Sequence, residues 1–149
     1  MFLELKIPPV MLVMMTAFIM AVQAQFSVIT IALPWQIAIS VMALGMMIIT
    51  MAVWQFKQAK TTVNPMTPNQ SNKIVNTGIF SVSRNPMYLG MTIILIGVAI
   101  YLGELMAFIW VIGFVLYMTK FQIKPEERIL SEKFGDEFKQ YCQAVRRWI

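Results

Sequence analysis

Four apolar stretches divide this chain, and its polar residues collect between the second and third and after the fourth. The first stretch runs from about 8 to 28, interrupted only by Thr16, Gln23, Gln25 and Ser27. The second runs from about 34 to 56, with Gln36, Ser40 and Thr50 as its main polar residues. Each is about 20 residues long, and at about 1.5 Å per residue each crosses a hydrocarbon layer of ~30 Å. The third and fourth stretches, 86–102 and 105–121, are separated only by Gly103 and Glu104, which predicts an antiparallel hairpin. Gly90, Gly97 and Gly113 would let helix backbones approach closely. Pro34 suits a first helical turn, where its missing N–H has no intrahelical partner.

The segment 57–85 differs in kind. It is rich in Asn, Gln, Ser, Thr and Pro, carries no acidic residue, and reads as turns. At roughly 30 residues it is too long for a simple link in so small a protein. Ile74, Val75, Ile79 and Phe80 give it apolar anchors. The tail, 122–149, alternates differently again. Leu130, Phe134, Phe138, Tyr141 and Val145 form one apolar helical face, opposed by Lys133, Glu137 and Lys139. Gly135 and Asp136 would split this helix in two, with Asp136 capping the second half. An amphipathic tail of this kind is expected to lie along the membrane surface, back over the loop. The fold class expected is therefore all-α and integral to the membrane: one domain with about four transmembrane helices and a C-terminal amphipathic helix.

Composition supports a membrane as solvent, with 58% hydrophobic and 13% charged residues. The net charge of +5 does not indicate nucleic acid, because of where the charges fall. Four spans put both termini and the 57–85 loop on one side, and that side holds all 12 basic residues, leaving Glu104 on the other. The positive-inside asymmetry predicts termini, loop and any site built from them in the cytoplasm, at the cytoplasmic (inner) membrane. The first stretch lacks a small-x-small cleavage pattern and reads as a retained helix. Cys142 is the single cysteine, so it reads as a packing residue and no intrachain disulfide can form.

The chemistry is narrowed by what is missing. With no His, one Cys and carboxylates concentrated in the tail, no metal-ligand set is expected. No nucleophile–histidine arrangement and no glycine-rich phosphate cradle occur. The spans hold no ionisable residue of the kind that ion-coupled transporters need, although a small four-helix transporter or a non-catalytic scaffold remains the rival from another class. What remains is a constellation at the ends of the hairpin: Arg84, Asn85 and Tyr88 before the third span, and Gln122, Glu126 and Glu127 after the fourth. The hairpin must bring these two groups to one membrane depth. Gln122 and Glu126 stand at i, i+4 and share a face if the helix continues through Pro125. An interfacial ion pair of Arg84 with Glu126 or Glu127 would account for part of this pattern without any catalysis.

The segment Gly78-Ile-Phe-Ser-Val-Ser-Arg-Asn-Pro-Met-Tyr-Leu-Gly90 resembles the Gly-x-Tyr-x-x-x-Arg-His-Pro-x-Tyr-x-Gly motif of the isoprenylcysteine carboxyl methyltransferase family, shared with related phospholipid methyltransferases. The tail from Glu126 to Tyr141, followed by Val145-Arg-Arg-Trp-Ile149, is similar to that family's Glu-Glu-x-x-Leu-x-x-x-Phe-Gly pattern. The resemblance runs from about Thr61 to the C-terminus. It implies S-adenosylmethionine as cofactor and a lipophilic acceptor arriving from the bilayer. By motif position it implies cofactor contacts from Asn72, Lys73, Ile74, Val75, Phe80, Asn85, Pro86, Met87, Tyr88 and Glu126, with Arg84, Gln122 and Glu127 on the catalytic side. The chain departs from the family at Phe80, which stands where the family usually has Tyr, and at two polar positions. Asn85 replaces a common His and cannot titrate. Gln122 stands where prenylcysteine enzymes have an Arg that meets the substrate carboxylate, and a neutral amide binds a carboxylate less well. A phospholipid amine is the alternative acceptor.

Overall fold

The computed structural model describes residues 4–26, 30, 33–59 and 73–149. Among these every regular element is helical, and the one strand-like contact is an isolated antiparallel bridge between Thr30 and Glu104. Helix α1 covers Pro9–Ala24, α2 Trp35–Gln58, α3 Pro86–Leu102 and α4 Ala107–Tyr117. A π-helical segment, Met118–Ile123, carries α4 directly into α5, Lys124–Phe134, and α6 covers Asp136–Ala144.

Two helices are long and apolar enough to cross a membrane: α2, and the continuous rod Ala107–Phe134. The other two apolar helices, α1 and α3, are shorter at 16 and 17 residues. The α1 helix stops before the expected 28 because its end tightens, with the Gln25 and Phe26 N–H groups bonding three residues back at 3.2 and 2.9 Å. Large side chains on the outer faces of α1, α2 and α4 are left largely uncovered: Met14, Phe18, Trp35, Trp54, Ile112 and Leu116 are each more than half exposed. Apolar surface on this scale marks a membrane or partner face.

Helices α2 and α3 run antiparallel along a seam of glycines. A Cβ on Gly90 would lie 2.6 Å from the Gly45 carbonyl oxygen, and one on Gly97 would lie 2.4 Å from the Met42 side chain and 3.0 Å from the Ala38 carbonyl. Only a residue without a side chain permits that approach. Gly113 differs from the expectation for it, since nothing lies within 4 Å of its Cβ position. On the other side of α3 sits the core, where Met20 of α1, Leu95 and Ala99 of α3, and Val111 and Phe114 of α4 interdigitate.

The join between α4 and α5 follows from one residue. Pro125 has no N–H to give to the carbonyl four residues back, Phe121, and its ring crowds that carbonyl. The helix widens instead of breaking: the Lys124 N–H reaches five residues back to the Thr119 oxygen. The orphaned Phe121 carbonyl is satisfied from outside, by the Leu5 N–H at 3.1 Å. Arg128 and Glu4 add an ion pair at 2.8 Å that holds the same N-terminal segment.

The tail splits at Gly135, whose positive φ of 54° suits glycine. Asp136 does not cap α6: no side-chain cap bond forms, and its carboxylate pairs with Lys139 at 2.9 Å. Phe138, Tyr141 and Val145 are buried together with Ile74 of the loop, and Leu130 and Phe134 pack against them. The apolar stripe thus folds the tail back over the loop.

Candidate active site

The site forms where the loop, the start of α3, the start of α5 and α6 meet. Gly78 opens a short 3-10 turn, Gly78–Ser81, with φ of 57°. A Cβ there would collide with the Gln55 amide at 1.8 Å. Turned so that both its bonds are satisfied, that amide donates to the Thr77 carbonyl at 3.0 Å and accepts from the Ile79 N–H at 3.1 Å. This brace sets Phe80 edge-on to Phe56 of α2, with centroids 4.8 Å apart. The Tyr141 hydroxyl donates to the Phe80 carbonyl at 2.7 Å and ties the same turn to α6. Ser83, fully buried, accepts from the Asn85 N–H at 3.1 Å and orients the entry to α3. Pro86 then occupies the first helical turn.

Two polar clusters lie side by side at this point. In the first, the hydroxyl of Tyr88 and the amide of Gln122 both donate to Oε1 of Glu126, each at 2.6 Å. The helix does continue through Pro125, so Gln122 and Glu126 share a face. Burial pushes the Glu126 carboxyl up to about 7, more strongly than its two donors lower it, and the neighbouring Glu127 charge raises it further. In the second cluster Glu127 joins two guanidiniums: Oε1 accepts from Arg84 at 2.7 Å and from Arg147 at 3.0 Å, and Oε2 accepts from Arg147 at 2.7 Å. Burial raises the Glu127 carboxyl, but Arg147 and Arg84 outweigh it and hold it below the ordinary value. Two adjacent glutamates therefore have opposite proton affinities, one in a pocket wall and one in an ion cluster.

Glu126 and Glu127 both border a pocket enclosing about 90 Å³. Its apolar side is made by Phe56, Ile74, Val75, Phe80 and Leu130; its polar side by Lys73, Arg84 and Asn85. The Glu126 oxygen not taken by Tyr88 and Gln122 has no hydrogen-bond partner among the described residues, so this wall presents an open acceptor. The arrangement suits a ligand with an aromatic ring for the apolar side and an N–H, O–H or cationic group for Glu126.

Of the residues expected at the site, Lys73, Ile74, Val75, Phe80, Arg84, Asn85, Glu126 and Glu127 line this one pocket. Tyr88 and Gln122 do not line it and reach it through Glu126. Pro86 and Met87 do not line it either; Pro86 shapes the start of α3. Asn72 lies outside the described residues. Arg84 has most of its guanidinium committed to structure, with Nη1 donating to the carbonyls of Cys142 and Val145 at 2.8 and 2.9 Å. Sequence reasoning missed Arg147, Trp148 and Ser83. The Arg-Arg-Trp run after the last helix was the available signal for the first two.

A family model described as phospholipid methyltransferase matches residues 34–137, from the start of α2 into α6. The chain belongs to the phospholipid methyltransferase family. Two relatives show how far the likeness reaches. An uncharacterized protein of Haemophilus influenzae is 46% identical over 63 residues, 42% of this chain and all of that one. The protein-S-isoprenylcysteine O-methyltransferase of Schizosaccharomyces pombe is 30% identical over 111 residues, 72% of this chain and 46% of that protein. This family member therefore spans less than half the length of that relative. No solved structure matches it. Membership of a membrane methyltransferase family disfavours the transporter and scaffold readings.

Proposed function

We propose that the protein is a single-domain, S-adenosylmethionine-dependent methyltransferase of the cytoplasmic (inner) membrane, with α1, α2, α3 and the apolar part of the 107–134 rod as its four spans. Both termini and the pocket face the cytoplasm in this reading. The observation that carries it is the pocket wall: a half-buried glutamate with one carboxylate oxygen held by Tyr88 and Gln122, in a pocket with an apolar aromatic side. Supporting the membrane placement, Trp35 and Trp54 stand exposed near the two ends of α2, about 28 Å apart at about 1.5 Å per residue.

The residues present fit the cofactor by chemistry. Phe56, Phe80, Ile74 and Val75 would face its adenine, and the open oxygen of Glu126 would accept from its ribose hydroxyls or amino group. The enclosed space is below the ~300–1,000 Å³ of sites that surround a whole ligand, so a ring system would take its depth and the rest its mouth. S-adenosylmethionine, when bound, supplies a methyl group on a sulfonium that is already a leaving group. The chain's part is to bind, align and exclude water. Tyr88 and Gln122 hold Glu126 in one rotamer, and the loop and tail cover it.

The acceptor is a small lipophilic molecule reaching the site from the bilayer. One observation favours a phospholipid amine over a carboxylate such as prenylcysteine. The Gln122 amide nitrogen is committed to Glu126, and the nearby Arg84 is engaged with Glu127 and two carbonyls. Among the described residues, Lys73 is then the lining cation left to meet an acceptor carboxylate, and it stands alone where a bidentate guanidinium would be the stronger partner. Incubating membranes that contain the protein with methyl-labelled cofactor, then extracting lipids, separates the two. Alkali-stable label in a lipid amine supports the amine, base-labile methyl ester supports the carboxylate, and no label above membranes lacking the protein contradicts methyl transfer.

A further inference from the structure

The last residues of the chain do more than end α6. Val145 leaves the helix in an extended conformation, and the chain then crosses the head of α3. The Arg84 N–H donates to the Arg146 carbonyl at 3.1 Å, and the Asn85 amide donates to the Arg147 carbonyl at 3.0 Å. The Arg147 side chain reaches the other way, to both oxygens of Glu127 at the head of α5. One residue later, the indole of Trp148 donates to Thr119 Oγ in the π segment at 3.2 Å and packs on the central core. One short segment thus bonds to the three elements that supply Tyr88, Glu126 and Gln122, without touching any of those three through its own hydrogen bonds.

We infer that residues 145–148 are a strap that sets the spacing and charge of the pocket wall, with Arg147 a positioning residue acting on Glu126 through Glu127. The geometry makes Arg147 the outer member of a relay. Arg147 offsets Glu127, and Glu127 is the charged neighbour of Glu126 in the chain. The other charged and titratable groups around Glu126 are Tyr88 from α3, Arg84 from the turn just before it, Lys73 from the loop and Tyr141 from α6. Of these, Arg84 shares Glu127 with Arg147, so part of the offset remains when Arg147 is lost. The inference rests on the proposed role of the pocket, but its first readout does not need a ligand.

The test follows the Glu126 carboxyl by carbon NMR in detergent-solubilised, ligand-free, glutamate-labelled protein, with the resonance assigned by its loss in Glu126→Gln. Removing the offset in Arg147→Ala or Arg147→Gln leaves Glu127 less compensated, and the Glu126 midpoint moves to higher pH. Removing the charge in Glu127→Gln moves it to lower pH. Arg147→Lys keeps the charge and stays near the parent. A purely structural strap would loosen the fold without producing shifts of opposite sign. Unchanged midpoints in folded Arg147→Ala and Arg147→Gln, or shifts of Arg147→Gln and Glu127→Gln in one direction, overturn the inference. A second arm titrates the same proteins with S-adenosylhomocysteine at pH 7. Binding weakened about tenfold in Arg147→Gln and restored in Arg147→Lys supports the strap; binding equal to the parent contradicts it. Absence of binding by the parent contradicts the pocket's proposed ligand alone, since the midpoint shifts then still decide the strap.

Discussion

Helix α3 is held on two sides by opposite means. Along its length it meets α2 through glycines and apolar side chains, backbone against backbone. At its head it meets α5 and the tail through a Tyr–Glu–Gln cluster and an Arg–Glu–Arg cluster. The first contact is made by glycines and apolar side chains, and its geometry is dictated by shape. The second depends on protonation and on which donors are present. A seam of the first kind can only be kept or broken, whereas a junction of the second kind can be tuned. The proposed chemistry sits at the tunable end.

Breaking the seam should have the largest effect. Gly90→Leu places a side chain where even a Cβ meets the Gly45 carbonyl, and overpacking of this severity costs about 3 kcal/mol or more. Thermal unfolding in detergent should show a large loss of folded protein, and an unchanged melting curve would mean the helices do not approach as described. Next in size is the polar junction. Glu126→Gln keeps the shape and removes the charge, and a hydrogen bond to a charged group is worth ~1.5–3 kcal/mol. Affinity for S-adenosylmethionine should fall about 10- to 100-fold while the melting temperature holds or rises, because a buried carboxylate has been neutralised.

The pH dependence sharpens the same contrast. Glu126 has a folded-state value raised from 4.5 to about 7. Its contribution to stability is full below 4.5 and is lost as pH rises towards and through 7. Binding of a cationic ligand runs the other way, strengthening as Glu126 ionises near 7. Opposite slopes of melting temperature and ligand affinity from about pH 5 to 7, levelling off above the midpoint, are expected for the parent. Both slopes should flatten in Glu126→Gln. The smallest effect belongs to Gly113→Ala, at an open position on a helix, which should change stability by no more than about 1 kcal/mol and in the favourable direction.

The sequence made the apolar helices legible because burial in lipid demands long runs, and the boundaries of α2 and α3 follow those runs closely. The meeting of Arg84 and Tyr88 with Gln122, Glu126 and Glu127 was also legible, because a two-residue hairpin leaves no other place for them. The π segment was not. It arises because Pro125 withholds a donor from Phe121, and the donor that meets this carbonyl instead is the distant Leu5 N–H, which no local pattern reveals. For Arg147 and Trp148 the residue types were a signal, but their partners were illegible for a related reason. An extended strap has no periodicity, and its partners, up to 62 positions away for Asn85 and Arg147, come only from the fold. Gly113 looked like Gly90 in the sequence, and only the placement of α2 distinguishes them.

The most direct measurement is isothermal titration of the purified, folded parent protein with S-adenosylmethionine at pH 8, where Glu126 is ionised. Saturable binding near one equivalent, lost or strongly weakened in Glu126→Gln, is the predicted result. No binding to a sample that still melts cooperatively, or equal binding by Glu126→Gln, would contradict the assignment of this pocket to the methyl donor.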